Sequence, residues 1–183
     1  MNTTKNPWQT LDSDVRYENN WLALRHENVI TPTGTAGIYG VVSFKNKAMG
    51  VVPIDADGNT YLVGQYRYTL NECTWEIPEG GGMAGKSVLH AAKRELKEEA
   101  GLVAGSWKTI VKTHLSNSVS DEVGFIFLAR DLREVDREPE ESEADMKVWK
   151  LPFEKALKMV LTGKITDALS VMGILRVARM LKL

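Results

Sequence analysis

Trp75-Glu-Ile-Pro-Glu-Gly-Gly-Gly-Met-Ala-Gly-Lys-Ser87, followed by Val88-Leu-His-Ala-Ala-Lys-Arg-Glu-Leu-Lys-Glu-Glu-Ala-Gly-Leu102, is the stretch whose reading decides the fold. It reads as a short apolar strand, a glycine-rich loop and a helix. Ser87 is placed to cap the helix N-terminus and Gly101 to stop it. At about 100° per residue, Val88, Leu89, Ala92, Leu96 and Ala100 share one face and pack on a core. Glu95, Glu98 and Glu99 lie on an adjoining arc, three and four residues apart. Glu95 and Glu99 form a like-charge pair that costs an isolated helix about 0.2–0.5 kcal/mol. Lys93 and Lys97 project to another side and do not cancel it. A solvated acidic face is the plain reading of such a helix. The glycine loop before it, and the position of the carboxylates beside the apolar stripe, favour a site for a hard divalent cation. Mg2+ takes oxygen ligands and keeps several waters for its substrate.

The same residues resemble the signature of the Nudix hydrolases: Gly, five residues, Glu, seven residues, then Arg-Glu-apolar-x-Glu-Glu-x-Gly-apolar. Gly80, Arg94, Glu95, Leu96, Glu98, Glu99, Gly101 and Leu102 match it. One position departs, since Lys86 stands where the family has its first glutamate. That glutamate mainly supports the site, so the reversal bears on metal affinity and rate more than on fold. Lys86 reads equally as a charge that weakens the site, as an outward-pointing side chain, or as a group that reaches a phosphate.

Composition frames this reading. The chain has 183 residues, enough for one ordinary domain with a small appendage. A formal net charge of −1 provides no overall basic field to recruit nucleic acid. The lone Cys73 rules out an internal disulfide and fits a reducing compartment. No run approaches the roughly 18 apolar residues of a membrane span. Without the apolar core of a signal peptide near the N-terminus, a cytoplasmic protein is expected.

Along the chain, residues 1–15 read as a polar lead-in. Trp21 to Ile30 and Ile38 to Phe44 read as strands joined by a turn at 31–34. A two-stranded ribbon is marginal alone and needs a surface to pack on. Ala48 to Ile54 is a near-continuous apolar run, as in a buried central strand. Asp55-Ala-Asp-Gly-Asn59 is a turn, with Thr60 to Tyr66 returning from it. Trp107 to Thr113 and Val123 to Ala129 are further strands, separated by the polar loop His114 to Glu122. Residues 130–145 are strongly acidic and read as a solvated loop before a strand over Met146–Leu151. Pro152 fits the first position of a helix to Leu161, Gly163 ends it, and Asp167 opens a heavily apolar last helix.

The run Val63 to Gly80, with Gln65-Tyr-Arg67 and Glu76-Ile-Pro78, resembles one Nudix branch in particular, the ADP-ribose and nucleoside-diphosphate-sugar pyrophosphatases. Gly163 to Ala168 resembles the end of the same branch, so the likeness runs from about residue 48 to 175. It implies an α+β fold, a Nudix-like α/β/α sandwich with a mixed sheet, preceded by an N-terminal β-ribbon. The domains expected are 1–45, lead-in and ribbon with a part in dimerisation, and 46–183, the hydrolase domain.

The resemblance also implies chemistry: hydrolysis of a nucleoside-diphosphate sugar to a nucleoside monophosphate and a sugar phosphate, by a homodimer using Mg2+ or Mn2+. Glu95, Glu98 and Glu99 hold metal, as does the backbone carbonyl of Glu79. Arg67 contacts the diphosphate, where a guanidinium donates two parallel hydrogen bonds. Glu122 lies near substrate. A glutamate of the acidic loop accepts the proton, with Glu143 preferred over Glu140 and Glu141, and Glu98 shares the catalytic work. Arg94 fixes the carboxylates, with Lys86 beside it. A nucleotide-sugar sensor without turnover, and a hydrolase of nucleoside triphosphates or dinucleoside polyphosphates, are the alternatives. Neither a nucleic acid nor a membrane is expected as a partner.

Overall fold

The computed structural model describes residues 5–83, 85–138 and 145–183. The chain divides into two compact units, residues 1–46 with 114–123, and residues 47–113 with 124–183.

The first unit is an antiparallel sheet of β1 (Gln9–Glu18), β2 (Leu22–Ile30) and β3 (Ala36–Phe44), in the order β1-β2-β3. The β2–β3 register runs from Leu22↔Phe44 to Ile30↔Ala36. Its turn closes with Gly34 at φ 85°, a left-handed position where glycine carries no penalty. The polar 114–122 loop docks on β3, with Val42 N donating to Val119 O at 2.8 Å and Ser43 Oγ to Asp121 Oδ2 at 2.6 Å. Residues 9–15 of the polar lead-in belong to a strand, and the ribbon is three-stranded. All ten residues of β1 are exposed, so no burial pattern marks them. Backbone pairing and cross-strand polar contacts hold β1, such as Asn28 Nδ2 donating to Asp12 Oδ1 at 2.8 Å.

In the second unit, β4 (Asn46–Pro53), β7 (Glu79–Met83), β8 (Leu102–His114) and β9 (Val123–Glu134) form a sheet ordered β7-β4-β9-β8. β5 (Asn59–Arg67), β6 (Glu72–Glu76) and β10 (Lys147–Pro152) form a second, ordered β10-β5-β6. The pairing is mixed: β4 runs parallel to β9, and β5 antiparallel to β6 and β10. Because side chains alternate across a strand, β4 and β9 serve two cores. Met49, Val51, Phe127 and Ala129 pack with Ala92, Leu96 and Ala100 of α1 (Val88–Ala100), as its apolar stripe predicts. On the opposite face, Val52 and Ile126 lie against Gly173 of α3 (Ala168–Leu181). α2 (Phe153–Leu161) contacts α3. A buried tie fixes α3 to the segment between β6 and β7, with Ile77 N donating to Ser170 Oγ at 2.9 Å.

The helix ends follow the sequence. The Ser87 side chain accepts from His90 N, Gly101 sits at φ 66°, and the Asp167 side chain accepts from Ser170 N. Pro152 is the N-cap of α2 and not its first residue. The glycine-rich loop is also corrected, because Glu79–Met83 is strand β7 beside β4. Glycine-rich sequence gives little strand signal, since no side chain packs to favour it. Among the described residues, no helix is long and apolar enough to cross a membrane.

Candidate active site

The site is built where α1 lies against β7. Glu95 is 5 % exposed and Glu99 1 %, although both are carboxylates on a helix. A local partner offsets the burial of each. Glu99 Oε2 accepts from the backbone N–H of Glu79 at 2.8 Å, which joins the helix to the strand. Glu95 accepts from Arg94 Nη2. Arg94 also donates from Nη1 to Glu98 Oε2 at 2.9 Å and from Nη2 to the carbonyl of Gly81 at 3.1 Å. Arg94 therefore straps two carboxylates to the strand. Gly80 is required for space, because a Cβ there would fall on the Glu95 carboxylate. Those close approaches explain a signature glycine and a signature arginine in steric and hydrogen-bonding terms.

A second group sits across β5 and β6. Val63 pairs with Glu76, so residues 63, 65 and 67 share a face with 74 and 76. Arg67 Nε donates to both Glu76 oxygens at 2.9 and 3.0 Å, and Nη2 donates to Glu76 Oε2 and to Glu79 Oε1, the latter at 3.1 Å. The Thr74 hydroxyl donates to Glu76 Oε1. Glu76 is only 2 % exposed. Hydrogen bonding to Glu76 is the main reason the Arg67 guanidinium is held above its ordinary pKa. Glu79 is pushed well above the usual carboxylate range by burial first, then by the charges of Asp167 and Glu76, with Arg67 opposing. Among the described residues, its buried Oε2 has no hydrogen-bond partner.

The two groups meet at Glu79, whose side chain touches Arg67 and whose amide holds Glu99. Sequence reasoning places Arg67 and Glu99 at the site but gives Glu79 only a backbone role and Glu76 none. A single acid inside an apolar strand, Trp75-Glu-Ile-Pro78, is the signal that points to Glu76. Lys86 is exposed one residue before the helix cap. Glu122 belongs to the first unit, where burial and then the Asp121 charge raise its pKa. Glu140, Glu141 and Glu143 lie outside the described residues.

Glu95, Glu98 and Glu99, with the backbone carbonyl of Glu79, would offer only oxygen donors, which fits a hard cation in kind. Among the described residues, no three His, Cys, Asp or Glu side chains already converge as a ligand cluster. In the described contacts, the charges of Glu95 and Glu98 are met by Arg94.

Comparison with known proteins gives a consistent likeness. Residues 45–168 match the NUDIX domain, and residues 8–42 match the nucleoside diphosphate sugar hydrolase N-terminal domain. An ADP-ribose pyrophosphatase of Mycobacterium tuberculosis is 36 % identical over 172 residues, covering 93 % of this chain and 83 % of the relative. An ADP-ribose pyrophosphatase of Bacillus subtilis is 29 % identical, covering 87 % and 86 % respectively. A crystal structure of an ADP compounds hydrolase superposes with a TM-score of 0.85 at 22 % identity, covering 96 % of this chain and 94 % of that one. At that identity the likeness is one of fold.

Proposed function

We propose that this chain, which belongs to the Nudix hydrolase family, cleaves the diphosphate of an ADP-ribose-like nucleoside-diphosphate sugar to a nucleoside monophosphate and a sugar phosphate. It is a pyrophosphatase, as its relatives are named. The observation that carries the reading is the Glu79 bridge, which brings an arginine for phosphate and a buried carboxylate helix to one strand.

Family members generally use divalent metal. In this chain Glu95, Glu98 and Glu99 would hold it, with the backbone carbonyl of Glu79, and Mg2+ or Mn2+ suits an all-oxygen set. When bound, such an ion neutralises charge on the diphosphate and lowers the pKa of a coordinated water. The remaining work falls to side chains. Arg94 keeps Glu95 and Glu98 in place against Gly81. Arg67 orients the diphosphate, and Glu122 borders the substrate. Glu143 accepts the proton of the attacking water as the phosphoric anhydride bond breaks, and Glu98 assists.

We also assign residues 1–45 to dimerisation and 46–183 to the hydrolase domain, a division close to that between the two family matches. The working form is a homodimer. Large apolar side chains exposed on the first unit support it, among them Trp21 at 65 % and Ile38 at 70 % exposure. The lone cysteine supports a cytoplasmic location. A panel of nucleoside-diphosphate sugars, nucleoside triphosphates and dinucleoside polyphosphates, incubated with Mg2+ or Mn2+, tests the activity. Monophosphate plus sugar phosphate is expected. Turnover confined to triphosphates, or nucleotide-sugar binding without products, would replace the reading.

A further inference from the structure

We infer that Glu76 is a positioning residue, which acts on the substrate only through Arg67 by dictating which edge of that guanidinium faces the diphosphate. The inference rests on the diphosphate-binding role proposed for Arg67.

Arg67 has five N–H donors in a rigid planar fork. The described bonds of Nε and Nη2 go to Glu76 and Glu79, and Nη1 has no described protein partner. Glu76 takes the Nε–Nη2 edge with both its oxygens, so rotation about the guanidinium axis is blocked. Glu76 is itself fixed by the Thr74 hydroxyl, by its place opposite Val63, and by near-complete burial. The arginine is therefore presented Nη1 first. Two carboxylates beside one guanidinium leave the cluster without net positive charge, so long-range attraction contributes little to phosphate capture here. Direction does the selecting, through Nη1 donors already aimed, which lowers the ordering cost of binding.

This makes a prediction whose sign separates two roles. If Glu76 served only as a negative charge near an anionic substrate, Glu76→Gln would relieve repulsion and lower KM. If it aims Arg67, the amide replaces one acceptor with a donor, the fork loses its fixed edge, and KM rises.

The experiment measures kcat and KM for ADP-ribose, with thermal melts, on the parent, Glu76→Gln, Thr74→Val, Arg67→Lys and the Glu76→Gln/Arg67→Lys double variant. The expected result is a KM raised about tenfold in Glu76→Gln and two- to threefold in Thr74→Val, with kcat within threefold of the parent. Lysine cannot be held by its edge, so adding Glu76→Gln to Arg67→Lys should leave KM unchanged. Thr74→Val keeps the test decisive should Glu76→Gln fold poorly. A lowered or unchanged KM in the single variants, or additive effects in the double variant, overturns the inference. A parent that turns over no nucleotide sugar would instead refute the proposed function, a separate outcome.

Discussion

Glu99 is the carboxylate on α1 most withdrawn from water, and one of its partners is a backbone amide that Gln can also satisfy. Glu99→Gln should thus keep the fold and lose the metal chemistry. Steady-state assays are expected to show kcat reduced by about 10²–10³-fold, the usual scale for losing one preorganised electrostatic contact, with a melting temperature close to the parent's. Gly80→Ala attacks the same site sterically, since the new methyl meets the Glu95 carboxylate. A loss of metal affinity of about 10–100-fold is expected, as when a group that orients a ligand is removed. A metal titration of activity measures it. Lys86 stands just before the N-cap of α1, where the helix dipole favours negative charge. Lys86→Glu should raise stability by about 0.3–1 kcal/mol and lower the metal concentration for half-maximal rate. Urea unfolding and the same titration check both. Glu95, Glu99 and Arg94 are legible in the sequence alone, because their helical spacing is local. The Arg67–Glu76 pair is not, because it depends on the β5–β6 register across a turn.

Elements whose boundaries rest on single capping residues are legible in the same way, as at Ser87, Gly101 and Asp167. Strands β1 and β7 are not. β1 has no buried face, and β7 has almost no side chains to give it a strand pattern. That α3 packs on the sheet is legible in its apolar residues, but how close it comes is not. A Cβ on Gly173 would lie 2.9 Å from Val52 Cγ2 and 3.0 Å from Ile126 Cγ2. Gly173→Val should cost about 1–3 kcal/mol by overpacking, read from the urea midpoint. The β4–β5 turn is tied to β10 through Asp55, which accepts from Asn59 N at 2.8 Å and pairs with Lys150 Nζ at 2.8 Å. Burial works to raise the Asp55 pKa, but Lys150 and Asn59 outweigh it and bring it from 3.8 to about 2. A carboxylate lowered on folding stabilises above its unfolded value and loses that contribution as pH falls through its folded one. Thermal melts of the parent and Asp55→Asn should therefore differ by a constant amount above about pH 5 and converge between about pH 4 and pH 2.

At the scale of the whole molecule, the chain presents an N-terminal sheet with large apolar side chains in water and a hydrolase fold with its carboxylates gathered on one helix edge. In the homodimer proposed above, the first feature is the surface that pairs. Sedimentation at micromolar concentration should give twice the 20.4 kDa chain mass, and Ile38→Asp should shift the equilibrium toward monomer by about tenfold or more. The fold class and the hydrolytic chemistry are readable from the single stretch Trp75 to Leu102, because it resembles the Nudix signature in one run. Base and sugar preference is not readable, since it depends on a few contacts made by loops far apart in sequence. Phosphorus NMR of ADP-ribose with Mg2+ tests most directly whether buried α1 carboxylates drive diphosphate cleavage of a nucleotide sugar. AMP and ribose 5-phosphate should accumulate with the parent and not with Glu99→Gln. Equal product formation by both proteins, or intact ADP-ribose bound by the parent, would contradict it.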